Sequence, residues 1–169
     1  MLNRNMYLNQ KEQKELAVKK SKNGKGIFVR KNFKSGQAVF QFAGKIITCD
    51  VDEDVSDDVR SNTIRFDSDW FVSPAGRIGD FLNHSCEPNA KVVKKDKKLL
   101  IVAILPIQKG EEIVFDYSTV IASDDIWTMK CECGSKSCRG IVKQFQKLPK
   151  KLQKQYIFES VVPSYILEI

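Results

Sequence analysis

"GRIGDFLNHSCEPNA" (76–90) holds the only histidine of the 169-residue chain, His84, and one of its five cysteines, Cys86, two positions on. Three of the other cysteines stand together far downstream, in "CECGSKSC" (131–138). Cys131, Cys133 and Cys138 form a C-x-C-x4-C pattern with Gly134 and polar residues between them. A disulfide uses two thiols, so three at this spacing suit the wrapping of one ion better than pairing among themselves. Zinc takes four ligands in a closed tetrahedral site, and the tail supplies three. Cys86, Cys49 and His84 are available as the fourth. Cys49 ends an apolar run and reads most simply as a small buried hydrophobe. Cys86 is therefore preferred, although spacing alone does not choose among the three. The plainer reading, reduced cysteines or one disulfide in a loop, is less consistent with an intracellular chain.

That setting is itself an expectation. "MLNRNMYLNQKEQKELAVKK" (1–20) lacks the apolar run of a signal peptide, and no stretch approaches the roughly 20 apolar residues of a membrane span. The expected location is intracellular, in the cytoplasm or nucleus of the cell in which the protein acts, with no membrane partner. At 42% hydrophobic residues the composition is globular rather than disordered, and 169 residues fit one domain with a real core. The net charge of +7 is unevenly placed: Asp50 to Asp69 holds eight acidic residues and two arginines, and the remaining 13 acidic and 26 basic residues give +13. A basic body favours acidic partners, and nucleic-acid or nucleosome contact through that surface is one expectation. Nothing in the sequence sets the oligomeric state.

Around the central motif the chain reads as short strands with irregular connections. "GIFVR" (26–30) and "QAVFQFAGKIIT" (37–48) are rich in β-branched and aromatic residues and flank the turn "NFKSGQ". The acidic stretch 50–69 reads as an insertion and "WFVSP" (70–74) as a strand. Ile78, Phe81 and Leu82 predict a helical turn before Asn83. "AKVV" (90–93) and "LLIVAIL" (99–105) flank the charged hairpin turn "KKDKK", and "EEIVFDY" (111–117) reads as the last strand. The first 20 residues read as a polar lead-in or short helix. In "LPKKLQKQY", Leu148, Leu152 and Tyr156 recur every fourth residue behind Pro149, predicting a helix that lays its apolar stripe on the domain.

Taken in order, "NGKGIFV" (23–29), "FLNHSCEPN" (81–89), "GEEIVFDY" (110–117) and "CECGSKSCRG" (131–140) resemble the SET-domain protein-lysine methyltransferases with a post-SET zinc tail. The chain's length resembles the compact stand-alone members. The resemblance implies a mostly β fold of small curled sheets with a knot-like threading, a rare exception to unthreaded connections. It implies a lead-in at 1–20, a SET domain at 21–120 with the insertion at about 50–69, a post-SET tail at 121–140 and a C-terminal helical extension at 141–169. It also implies that Cys86 joins Cys131, Cys133 and Cys138 on one structural Zn2+, pinning the tail across the active site.

The implied activity is methyl transfer from S-adenosyl-L-methionine to a lysine side chain of a histone tail or another basic protein. Tyr117 matches the family's catalytic tyrosine; without the flanking motifs it would read as a cap on a core strand. Phe115 and Phe42 match the lysine channel, with Phe42 where a tyrosine is common. Asn83 and His84 match cofactor contacts, made through backbone and amide groups; a lone histidine would otherwise read as a satisfied core residue. Asn23, Gly24, Lys25 and Gly26, otherwise a simple turn, and Phe66 complete the cofactor set. Asp80 stands where many members carry arginine. The stretch 50–69 is expected beside the peptide groove, where its charge would attract a basic substrate. The competing reading is a SET-like zinc module without activity that binds basic peptides or nucleic acid, a role that Phe42 and Asp80 would suit.

Overall fold

The computed structural model describes residues 14–48, 56–60 and 62–169. Cys49 and the acidic residues Asp50, Asp52, Glu53 and Asp54, half of the acidic residues in the run, lie outside the described residues. In chain order the strands are β1 (Leu16–Ser21), β2 (Gly24–Val29), β3 (Ala38–Phe42), β4 (Lys45–Thr48), β5 (Ile64–Arg65), β6 (Trp70–Ser73), β7 (Asn83–His84), β8 (Ala90–Lys95), β9 (Lys98–Ala103), β10 (Val114–Phe115), β11 (Met129–Lys130) and β12 (Ile141–Val142). The α-helices are short: α1 (Asp57–Arg60), α2 (Lys150–Phe158) and α3 (Ser164–Leu167).

The strands form small sheets rather than one large one, as the motif order implies. β1 and β2 make an antiparallel hairpin, β3-β9-β8 and β4-β6-β5 make three-stranded sheets, and β11 pairs with β12. β7 and β10 pair in parallel, with Asn83 opposite Val114 and His84 opposite Phe115. This pairing sets the "NHSC" segment beside "FDY".

Local chemistry explains most of these elements. In the β8–β9 hairpin Val92 faces Ile101, which also faces Phe40 of β3, so the apolar positions of three strands meet on one face. The turn between them is Asp96–Lys97, and Asp96 takes the left-handed φ of 55° that short polar side chains tolerate. Leu16, Ile27, Phe33, Leu99, Ile101 and Ile113 are fully or almost fully buried in the main core. Each such side chain contributes about 1.5–3 kcal/mol through burial.

Four elements differ from the sequence expectation. Leu16–Ser21, within the stretch read as a lead-in, is β1, because Leu16 and Ala17 are apolar and bury while Lys19 and Lys20 stay outside. "QAVFQFAGKIIT" breaks after Phe42: β3 joins β9, and β4 leaves to pair with β6. The far end of the acidic stretch is not a loose insertion, since Ile64 and Arg65 are buried as β5. The last strand stops at Phe115. The Asp116 carboxylate accepts the Ser118 N–H at 3.1 Å, and this cap starts a 3₁₀ turn over Tyr117–Val120. Tyr117 therefore opens a turn rather than ending a strand.

The C-terminal helix forms as the spacing predicts. α2 follows Pro149, and Leu148, Leu152 and Tyr156 pack with Phe145, Tyr165 and Ile166 in a second core.

Candidate active site and cysteine cluster

The "NGKG" and "NHSC" segments meet at one corner. Asn83 Nδ2 donates to the Lys25 carbonyl at 2.9 Å and to Glu112 Oε1 at 2.7 Å, while Ser21 Oγ donates to Glu112 Oε2 at 2.7 Å. Gly24 follows the Lys22–Asn23 turn with φ of +88°, a conformation side chains rarely adopt. At Gly26 the reason is space, since an added Cβ would stand 2.0 Å from Glu112 Oε1 and 3.0 Å from Asn83 Nδ2. The structure thus brings Lys25, Gly26 and Asn83 together at Glu112, with Asn23 and Gly24 in the adjoining turn. Sequence reasoning missed Glu112, whose only signal was an acidic pair in "GEEIVFDY".

Phe66 stands in a different setting. It packs half-buried on the main core, with the Lys94 ammonium 4.6 Å from its ring centre and the same ammonium 5.4 Å from the Tyr165 ring.

Tyr117 looks into a cavity of about 210 Å³. Phe42, Leu82, Phe115, Tyr117, Arg65, Phe71, Asp125 and Trp127 are among the residues that line it. The Tyr117 ring lies 4.9 Å from that of Phe115 and 6.4 Å from that of Trp127. Its hydroxyl donates to the Leu82 carbonyl at 2.5 Å. Burial, followed by the Glu112 carboxylate, pushes the phenol well above its usual ionisation range, so it remains a donor. Trp127, Arg65 and Asp125 were not singled out from the sequence. Arg65 is buried and paired: Nη2 donates to Asp124 Oδ1 at 3.0 Å and Asp125 Oδ1 at 2.8 Å, and the guanidinium lies 4.9 Å from the Phe71 ring. Asp80, the departure from the usual arginine, accepts the Gly76 N–H at 2.7 Å and closes the turn that leads to Asn83.

The four described cysteines converge as free thiols. β11–β12 pairing and the Cys131 N–H to Gly140 carbonyl bond of 3.0 Å close the base of the 131–140 loop. Cys131 Sγ then lies 3.7 Å from Cys86 Sγ and 3.6 Å from Cys138 Sγ. A tetrahedron of zinc–sulfur bonds of about 2.3 Å sets sulfurs about 3.8 Å apart. These separations fit a shared metal and far exceed the about 2.05 Å of a disulfide. Burial pushes the Cys86 and Cys131 thiols up. Burial pulls Cys133 the same way, but the Cys86 backbone and Ser135 more than offset this and bring it to about 6. A divalent cation would relieve the repulsion of several thiolates held this close.

His84 joins the same group. The ligand atoms of His84, Cys86, Cys131 and Cys133 all lie within 4.8 Å of one another. Its role follows from its other nitrogen. Nδ1 accepts the Tyr117 N–H at 3.1 Å, closer than the Asp116 carboxylate at 3.7 Å. Burial lowers the imidazole pKa and keeps the ring neutral, so the proton sits on Nε2, which faces Cys86 Sγ at 3.4 Å. A protonated Nε2 cannot ligate a metal, and it serves Cys86 as a hydrogen-bond donor. The ligand atoms that lie mutually within 4.8 Å thus include His84 rather than Cys138, which reaches the group at Cys131, while the hydrogen bonding of His84 favours the cysteines as ligands.

Comparison with known proteins agrees with this architecture. The SET domain family matches residues 24–118. The chain is 33% identical over 127 residues to human histone-lysine N-methyltransferase 2B, covering 69% of this chain and 5% of that protein. It is 34% identical over 131 residues to the H3 lysine-4 specific histone-lysine N-methyltransferase of Schizosaccharomyces pombe, covering 68% of this chain and 14% of that protein. The chain thus spans a small part of these relatives. In fold it is similar to KRYPTONITE, solved in complex with mCHH DNA, H3(1-15) peptide and SAH, with a TM-score of 0.59, 21% identity, and coverage of 76% of this chain and 29% of that one. With more than half its length matched and "NHSC" paired in parallel to "VFDY", the chain belongs to the SET domain family.

Proposed function

We propose that the chain is a protein-lysine N-methyltransferase that uses S-adenosyl-L-methionine and acts on a histone tail or another basic protein. The observation that carries this reading is the parallel pairing of Asn83–His84, with Asn83 on the Lys25 carbonyl, against Val114–Phe115, beside a cavity whose lining includes Phe42, Leu82, Phe115 and Tyr117. When bound, S-adenosyl-L-methionine supplies an electrophilic methyl on a positive sulfonium. Asn23 to Gly26, Asn83 and His84 would hold it at that corner. A free lysine amine has a pKa of about 10.4, and loss of water in a narrow channel beside a positive sulfonium would disfavour the ammonium and favour the neutral amine. The chemistry so supplied would be methyl transfer to the amine nitrogen, with the carbon–sulfur electron pair passing to sulfur and the surplus amine proton to solvent. Tyr117 contributes by orienting the amine through a hydroxyl that stays protonated, a positioning role.

Residues 121–140 act in this reading as a zinc tail, with Cys86, Cys131, Cys133 and Cys138 holding one structural Zn2+ and His84 supporting Cys86. The basic surface is offered to a nucleosome or nucleic acid, and the setting is intracellular, the cytoplasm or nucleus. Among the described residues no helix is long and apolar enough to cross a membrane.

The test is incubation with labelled cofactor and a panel of histones and basic proteins, together with calorimetry of cofactor binding. Label transferred to lysine is the expected result. Cofactor binding absent at millimolar concentration would overturn the enzymatic reading and leave the inactive binding module.

A further inference from the structure

Two buried tyrosines of the C-terminal segment, outside the matched domain, reach a cavity-lining residue or the immediate neighbour of one. Tyr156, on α2, donates its hydroxyl to Asp116 Oδ2 at 3.0 Å. Tyr165, on α3, donates to the Arg65 carbonyl at 2.7 Å, across 100 residues of sequence. Both targets are buried and both matter to the cavity. Asp116 precedes Tyr117 and caps the turn on which Tyr117 sits, and its Oδ1 also receives Arg139 Nη2 at 2.7 Å. Arg65 lines the same cavity as Tyr117 and holds Asp125.

A buried carboxylate fixes its orientation by the donors it has. With Arg139 and the Ser118 N–H on Oδ1, the Tyr156 hydroxyl on Oδ2 determines how the carboxylate is turned, and with it the start of the Tyr117 turn. Loss of that hydroxyl leaves a buried charged oxygen without this donor, and the group must rotate or draw in water. The second tyrosine does the same for the backbone of β5. The helices that carry both are held by their own core of Phe145, Leu148, Val162 and Ile166.

We propose that Tyr156 and Tyr165 are positioning residues that clamp the Tyr117 wall and the Arg65 wall of the cavity, so that the C-terminal segment is a working part of the active site. The proposal rests on the methyltransferase reading for its kinetic consequence alone. Y156F and Y165F remove one oxygen each and keep the apolar packing. L152A removes apolar packing from the same helix and touches neither hydroxyl. Y156F is expected to lower kcat about tenfold or more, since small misplacements at a reacting centre are costly. KM for cofactor and peptide should stay within about twofold, because neither binding corner is contacted. L152A should lower Tm and leave kcat unchanged at temperatures where it is folded.

Hydrogen exchange gives a readout without catalysis. Y156F should speed exchange of the Ser118 and Thr119 amides and Y165F that of residues 64–66, with neither change in L152A. Faster exchange confined to those segments supports the clamp even if the wild type methylates nothing, an outcome that removes only the enzymatic reading. Wild-type exchange and wild-type kcat in both phenylalanine variants overturn the clamp, as does a kcat that falls only in step with Tm in all three.

Discussion

The backbone N–H of Tyr117 donates to Nδ1 of His84 at 3.1 Å, although 33 residues separate them. The other ring nitrogen faces Cys86 Sγ at 3.4 Å. One imidazole therefore joins the backbone of the proposed catalytic tyrosine to the cysteine cluster, and displacement of that backbone is expected to reach the cluster.

Tyr117→Phe removes the hydroxyl bonded to the Leu82 carbonyl and keeps the ring stacked near Phe115. Turnover is expected to fall about a hundredfold, as for loss of a positioning contact at the reacting centre. Cofactor affinity and metal content should not change. Steady-state kinetics with calorimetry checks this, and a normal rate would reduce Tyr117 to a packing residue.

Raising the pH should increase the rate as substrate lysine loses its proton near its pKa of about 10.4. An ordinary tyrosine would ionise over the same range and impose a falling limb. In Tyr117 burial disfavours the phenolate, so its folded-state pKa lies above the unfolded value and the neutral donor persists. The profile of kcat is expected to rise without a descending limb between about pH 8 and 10. A decline there that Tyr117→Phe abolishes would show that the phenol ionises after all.

Metal analysis of the purified protein should give one zinc per chain. Cys86→Ser should weaken zinc binding, because Cys86 contributes a sulfur 3.7 Å from that of Cys131. Chelation should lower activity before it unfolds the main core, since the cysteine cluster packs mainly with Ile121 and Val142 and apart from the central strands. Stoichiometric zinc at unchanged affinity in Cys86→Ser would exclude it as a ligand.

Gly26→Ala places a methyl group against the Glu112 carboxylate, which Ser21 and Asn83 hold from two sides. Overpacking of this kind costs about 1–3 kcal/mol. The cofactor KM is expected to rise with little change in the peptide KM. Equal cofactor affinity in the variant, measured by titration, would separate this corner from cofactor binding.

The elements legible in the sequence are those set by neighbours along the chain. Alternating apolar residues around "KKDKK" specify the β8–β9 hairpin, the fourth-residue spacing of Leu148, Leu152 and Tyr156 specifies α2, and the close spacing of three cysteines marks a metal-type cluster. The end of the last strand was also locally encoded, since an aspartate two residues before a free N–H is a cap, but the β-rich run "EEIVF" concealed it.

What the tertiary structure decided depends on groups far apart in sequence finding one another. Arg65 reads as one more charge in an acidic stretch until Asp124 and Asp125, about 60 residues on, neutralise it inside the protein. Tyr156 and Tyr165 read as an apolar stripe and a chain end until their hydroxyls meet Asp116 and the Arg65 carbonyl. Phe66 packs half-buried on the core beneath Lys94, a placement its neighbours in sequence do not record. Residue type and spacing define which local structure is cheapest, whereas a buried polar group must find its partner wherever packing brings one, and no local pattern records that partner.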